Sequence, residues 1–371
     1  MRRRRFVFSL ASFCLILLSF QAIYAQDNPV AIQSGRQGST AVSLNGKTVA
    51  PAPATTRDRI HLDVVVSDKS GRPISGLDLK DFTLLDDNQP AKILSFQAID
   101  ENIQKANPPA EIILVIDAVN FGFQQVAFTR QEIERFLRQN GGHLAQPVSI
   151  FVLTNQGVDV RRQPSVDGNA LAAEVSQLDN KLRTISSSAG GWGAIERFEF
   201  SIRILTSIAK NEARKPGRKL LIWAGSGWPM LDVHNIESTS EQRQQYFDSI
   251  VELSTKLREA RISVYSISSG QPGRGTFLYQ DFLKPVKLPE KASPPNLALR
   301  VLAVQSGGRV RGPDNDLSAQ IDRCVQDAST YYTLSFDPPR ADHANEYHEL
   351  KVQIDKPGLT ALTNTGYYNQ P

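Results

Sequence analysis

The sequence predicts an α/β protein in which a doubly wound, mostly parallel sheet is inserted into, or flanked by, a small β-sandwich-like domain. Three observations predict it. Continuous apolar runs such as Ile112–Ile116 alternate with helix-period segments through the middle of the chain, the pattern of a sheet covered on both faces. Period-two strand patterns stand on both sides of that region, Ile60–Val66 before it and Tyr331–Phe336 with Glu349–Ile354 after it. Each flanking set is too small to be stable alone, so residues 57–105 and 329–371 are expected to pair across the intervening 109–328 domain.

The chain opens on an export pattern. Arg2, Arg3, Arg4 and Arg5 precede an apolar run from Phe6 to Phe20, and Ala22-Ile23-Tyr24-Ala25 offers a small residue at the cut. That is the layout of a signal peptide, here 1–25. The run is short for a membrane span, which needs roughly 20 apolar residues, so no span is expected after cleavage; an uncleaved anchor is the competing reading. Residues 26–56 are small and polar, and Pro51-Ala52-Pro53-Ala54 reads as a flexible linker.

From Ile60 the first strand runs to Val66, closed by the turn Ser70-Gly71-Arg72-Pro73. Phe82–Leu85 and Ile93–Phe96 are two further strands, and the three are expected to form one small antiparallel unit. Ile112–Ile116 follows Pro108-Pro109 and ends in Asp117. A helix is predicted over Thr129–Gln139, with Ile133, Phe136 and Leu137 on one face. Val148–Leu153 is the next buried strand and Val158–Val160 its hairpin partner. Helices are predicted over Leu171–Leu182 and Ile195–Ala209, a strand over Lys219–Trp223, a long helix to Ala260 with Ser240 as its N-cap, and a strand over Ile262–Ile267. The stretch 270–296 carries Pro272, Pro285, Pro289, Pro294 and Pro295, and reads as a long surface insertion, either a functional loop or a disordered one. Helices over Leu297–Gln305 and Leu317–Ala328 close the α/β region, and Leu359–Leu362 is a short strand of the tail. In a sheet of this type the functional crevice lies at the carboxyl ends of the strands.

Composition excludes several function classes. The chain has 42 Lys+Arg and 38 Asp+Glu. The four arginines of residues 1–25 face no acid there, so without them 38 basic residues meet 38 acidic ones. No net positive charge is left for nucleic acid. Of two cysteines, Cys14 lies in the signal, and Cys324 alone can make neither an internal disulfide nor a cysteine cluster for zinc; it reads as a buried helix residue.

Enzyme signatures are incomplete. Ser226 stands between Gly225 and Gly227 after a buried strand, which resembles a nucleophile elbow, but the motif wants glycine where Ala224 stands and a helix where Pro229 follows. Asp232 and His234 are near in sequence, which does not make a triad. Asp342, His343, Glu346, His348 and Glu349 cluster at a predicted hairpin turn in no recognised ligand spacing, and read as a solvated turn. No phosphate-cradling or dinucleotide motif is present.

The mature sequence resembles the von Willebrand factor type A (VWFA)-related domain family of secreted bacterial proteins. The resemblance runs through Val64-Val65-Val66 and Gly71-Arg72-Pro73-Ile74, Leu77 to Asp81-Phe82, Ile113–Asp117, and Arg218–Trp223. It continues with Leu302-Ala303 to Ser306-Gly307-Gly308, Tyr331-Tyr332-Thr333-Leu334 and Gly366-Tyr367-Tyr368. It implies a VWA (Rossmann-like) sheet, an extracytoplasmic location and protein binding. Such domains often hold Mg²⁺ at a metal-ion-dependent adhesion site that begins Asp-x-Ser-x-Ser. Here the segment is Asp117-Ala118-Val119-Asn120-Phe121, with apolar residues at both serine positions. Trp192 stands near the position of the second-loop threonine, and no acid occurs near Ser226. The site is degenerate for an ion that takes oxygen ligands, so neither metal nor other cofactor is expected.

The expected function is therefore an exported, periplasmic or extracellular binding or scaffold protein with a protein partner in the cell envelope and no need of metal. The alternative is a secreted hydrolase using Ser226. The binding residues are expected at the strand-end crevice: Asp117, Asn120, Phe121, Trp192, Ser226 and Trp228. Two readings of the tryptophans stay open, exposed anchors for a partner or plugs folded back over the strand ends. Asp117 is read as a strand-end residue that hydrogen-bonds neighbouring loop amides.

Overall fold

A computed structural model describes residues 59–100, 106–180, 191–225, 227–228, 238–269, 279–312 and 314–371. The predicted signal peptide and linker lie outside them, as do Ser226, Asp232 and His234.

The first strand, β1 (Ile60–Ser67), buries Ile60, Leu62 and Val64 and turns His61 outward, as its period-two pattern requires. It is followed by β2 (Phe82–Asp86), the short β3 (Gln89–Pro90) and β4 (Ser95–Asp100). Only β2 and β3 pair with each other. The expectation of one three-stranded N-terminal unit is thus corrected, and its third strand lies at 95–100 rather than 93–96. The partners come from the other end of the chain. Strands β11 (Thr330–Phe336), β12 (Glu346–Ile354), β13 (Thr360–Leu362) and β14 (Gly366–Asn369) complete two four-stranded sheets, in the orders β13-β1-β11-β4 and β14-β12-β2-β3. The pairing of β1 with β11 is antiparallel with Leu62 opposite Leu334, and β12 pairs with β2 with Val352 opposite Leu84. The inward faces of both sheets share one apolar core of Leu62, Val64, Phe82, Leu84, Tyr332, Leu334, Phe336, Leu350 and Tyr367. Phe82, Phe96 and Tyr332 pack ring against ring in it, Phe96 stacked on Tyr332 and Phe82 tilted to both.

Between these strands lies a six-stranded sheet built from β5 (Glu111–Asp117), β6 (His143–Thr154), β7 (Gly157–Asp167), β8 (Lys219–Ala224), β9 (Ile262–Ile267) and β10 (Val310–Arg311). Its order is β10-β9-β8-β5-β6-β7, parallel throughout except for the edge hairpin β6–β7. Six helices among the described residues connect and cover it: α1 (Phe123–Leu137), α2 (Gly168–Ser176), α3 (Gly191–Glu212), α4 (Ser240–Glu259), α5 (Leu299–Gln305) and α6 (Leu317–Ser329). Alternate residues of β5 feed two cores. Ile113 and Val115 pack with α3, α4 and α5 on one face; Ile112, Leu114 and Ile116 pack with α1, α2 and α6 on the other. The chain is therefore mixed α/β, a mostly parallel sheet with antiparallel sheets beside it. No helix among the described residues is long and apolar enough to cross a membrane.

Local chemistry sets the helix ends. The N-cap of α4 is Thr239, one residue before the predicted Ser240, because Thr239 and Gln242 form a reciprocal capping box. Asp316 caps α6 by accepting from the Ala319 amide. Gly308 follows α5 where a Cβ would fall 1.8 Å from the Val264 carbonyl, so only glycine lets this turn reach β9. Residues 279–296 of the predicted insertion are packed rather than loose: Val286 and Ala292 join the α3–α4 core, and Tyr368 donates to the Val286 carbonyl at 2.8 Å.

Candidate functional site

The six-stranded sheet reverses its winding at β5. Strand β6 is added on one side of it and β8 with β9 on the other, which places a topological switch at the carboxyl end of β5, where open α/β sheets bind ligands. That end is Asp117.

Asp117 is buried at 1% exposure, and both carboxylate oxygens are occupied by donors. Oδ1 accepts the backbone amides of Val119 and Asn120, each at 2.9 Å. Oδ2 accepts the Asn120 amide nitrogen at 2.8 Å and the Trp223 indole N–H at 2.9 Å. Burial pushes the carboxyl's pKa up, while these four bonds, which favour the ionised form, act against it. The arrangement is a strand-end Asx-type turn locked by an indole, and it holds the first residues of the β5–α1 loop in place.

The neighbouring side chains build on that turn. Asn120 Nδ2 also donates to Ser201 Oγ of α3 at 3.0 Å, while its Oδ1 is buried without a hydrogen-bond partner. The Phe121 ring lies over Gly225 just beyond β8, so closely that a Cβ on that glycine would fall 2.2 Å from the ring. Trp228 is buried, edge-on to Trp223 at a centroid distance of 5.2 Å and 78°. It is a plug over the strand ends, and as an exposed anchor it is corrected. Trp192 lies in the first turn of α3, its side chain outside the described part, and Ser226 is outside the described residues.

The structure thus brings Asp117, Asn120, Phe121 and Trp228 to one strand-end cluster, and adds residues the sequence did not single out. Trp223 read only as strand core, yet a buried indole N–H needs an acceptor, and that need was the available signal. Phe123, the first residue of α1, is 61% exposed at the rim of this face, whereas most phenylalanines are buried. Gln125 donates to Ser269 Oγ, just past β9, at 2.6 Å and closes the rim.

The fit to a hard divalent ion is poor among the described residues. Asp117 has no oxygen lone pair directed to open space, Val119 is a buried apolar side chain where a hydroxyl would be needed, and Phe121 packs on Gly225.

The class defined by fold and site is a mixed α/β protein whose strand-end cluster holds a buried carboxylate, Asp117, satisfied by bonds within the protein. No family model matches the chain, and no curated protein matches it. Among solved structures, the human COPII-coat protein Sec24c is similar with a TM-score of 0.33 and 10% identity, over 71% of this chain and 44% of that one. The chain spans less than half the length of Sec24c, and a likeness of this size carries no functional argument.

Proposed function

We propose that the chain is an exported, VWA-like binding module that takes a protein partner on the carboxyl-end face of its six-stranded sheet, without a bridging metal and without catalysing a reaction. The observation that carries this reading is the contrast at the switch point. Asp117 is fully engaged inside the protein, while Phe123, six residues further on, presents its ring to solvent at the rim. Aromatic side chains are enriched among the residues that dominate interface energy, and truncating such an anchor costs about 2 kcal/mol or more. The resemblance of the sequence to secreted VWFA-related domains and the winding of the sheet around β5 support the VWA-like part. The basic start and apolar run of residues 1–25 support export to the periplasm or beyond.

The test compares wild type, Phe123→Ala and Phe123→Glu in capture of a partner from the envelope fraction of the native host, with melting temperature measured in parallel. Partner recovery should fall at least tenfold, the equivalent of about 1.4 kcal/mol, while the melting temperature stays within a degree or two. The same recovery for all three proteins would remove this face from the reading. Millimolar Mg²⁺ should leave capture unchanged; an Mg²⁺ requirement would restore a metal-bridged mechanism.

A further inference from the structure

Outside the crevice, one set of side chains converges in a way the sequence conceals. Strand β2 ends in Asp86, and Asp87 opens the turn to β3 with a left-handed φ of 47°, a conformation aspartate tolerates better than most residues. Strand β12 pairs with β2 and carries His348, 262 residues away from Asp86. The sequence around His348 predicts a solvated turn. His348 is instead buried at 6% exposure, its ring stacked on Tyr367 at 5.0 Å and 15°.

Three ligand-type atoms meet there. His348 Nδ1 lies 3.0 Å from Asp86 Oδ1 and 3.3 Å from Asp87 Oδ2, and the three lie within 4.8 Å of one another. Ligands held about 2.0–2.2 Å from one metal ion stand roughly 3.0–3.5 Å apart, so this spacing needs little adjustment. The outward atom of each carboxylate is fixed by a neighbour. Asp86 Oδ2 accepts the Tyr367 hydroxyl at 2.7 Å, and Asp87 Oδ1 accepts the Glu349 amide at 3.0 Å. His348 Nε2 is buried without a hydrogen-bond partner, and the nearest acid oxygen, Glu346 Oε1, stands 3.8 Å from it. A metal on Nδ1 puts the ring proton on Nε2, facing that carboxylate. A small shift of the Glu346 side chain toward Nε2 would complete the outer-sphere bond that orients metal-bound imidazoles. Asp87 is exposed, which supplies an entry path.

We propose that Asp86, Asp87 and His348 form a binding site for a divalent transition-metal ion of the zinc class, pinning the β2–β3 turn to strand β12. One imidazole nitrogen and two carboxylate oxygens suit Zn²⁺ or Co²⁺ better than Mg²⁺ or Ca²⁺, which favour all-oxygen shells. Bound there, the ion ties together the two ends of the chain that share the antiparallel core.

The experiment is calorimetric titration of purified, tag-free protein with Zn²⁺, repeated with Co²⁺ to read ligand-field absorption. Asp87→Asn is the main variant. Its carbonyl oxygen can keep the Glu349 amide bond while its NH₂ replaces the inward oxygen, and an exposed position on the turn tolerates the change. His343→Gln, an exposed histidine of the segment just before β12, is the control. Wild type and His343→Gln should bind one equivalent of Zn²⁺, and Asp87→Asn should bind at least about tenfold more weakly with an unchanged metal-free melting temperature. His348→Gln should abolish the Co²⁺ absorption if it folds; Asp87→Asn decides the matter if it does not. Absence of saturable binding up to about 100 μM free Zn²⁺, or equal binding by wild type and Asp87→Asn, would overturn the assignment.

Discussion

Replacing Asp117 by asparagine tests whether this residue acts as an internal anchor or as the remnant of a metal site. The substitution keeps size and shape but turns one accepting oxygen into a donor. Two of the four bonds then lose their acceptor: either the Val119 and Asn120 amides, or the Asn120 side chain and the Trp223 indole. A buried donor left unpaired costs about 1–3 kcal/mol, so two cost about 2–6. The neutral side chain recovers part of the burial penalty that raises the carboxyl's pKa, which brings the expected loss to about 2–4 kcal/mol. For a domain of this size each kcal/mol moves the melting temperature roughly 2–3 °C, so a fall of about 4–12 °C is expected. Thermal and urea unfolding measure it, with about 1 mM Mg²⁺ as a second condition that should shift neither protein, since even a site with a Kd near 100 μM would add about 1.4 kcal/mol. A variant that melts with the wild type would falsify the anchor reading. So would Mg²⁺ stabilisation of the wild type that the variant lacks.

Deleting 330–371 removes β11 to β14, the partners of β1, β2 and β4, so amide protection in residues 60–100 should collapse; retained protection would mean that those strands stand alone. Arg261, in the turn after α4, donates to Asp63 at 2.5 Å and to Thr333, and Asp63 is largely buried. Arg261→Ala should therefore cost about 2–3 kcal/mol in urea unfolding, more than an exposed ion pair would, and Asp63→Asn in the same background should recover part of it. Burial pushes the Tyr347 hydroxyl up to about 12 and raises Tyr368 as well. A pKa raised in the folded state makes stability complete below the unfolded value near 10 and lost as pH rises through about 12. Tyrosinate absorbance and unfolding free energy followed together should show Tyr347 ionising late, with stability falling over that window.

The sequence by itself determined which segments are strands and helices in the centre of the chain. A run such as Ile112–Ile116, mostly β-branched, short and with no polar face, suits a strand in a sheet covered on both sides, and Ile133, Phe136 and Leu137 leave α1 one face to bury. It also marked Asp117 as a strand-end hydrogen-bonding residue, because adjacent residues and short loops obey local rules. Element ends were less legible: α1 begins at Phe123, six residues before the predicted Thr129, α2 ends at Ser176 rather than Leu182, and Thr239 rather than Ser240 caps α4 because only it forms the reciprocal bond with Gln242. Three matters belonged to tertiary structure alone. Partner choice among β1, β2 and β4 depended on strands roughly 230 to 275 residues away, whose alternation fits several pairings equally well. The orientation of Trp228 depended on the space beside Trp223, which neither its position nor its hydrophobicity reveals. His348 and Asp86 came together because the register of β12 against β2 puts their side chains on one spot. A one-residue slip would send His348 to the opposite face, so no local pattern could have announced that pairing.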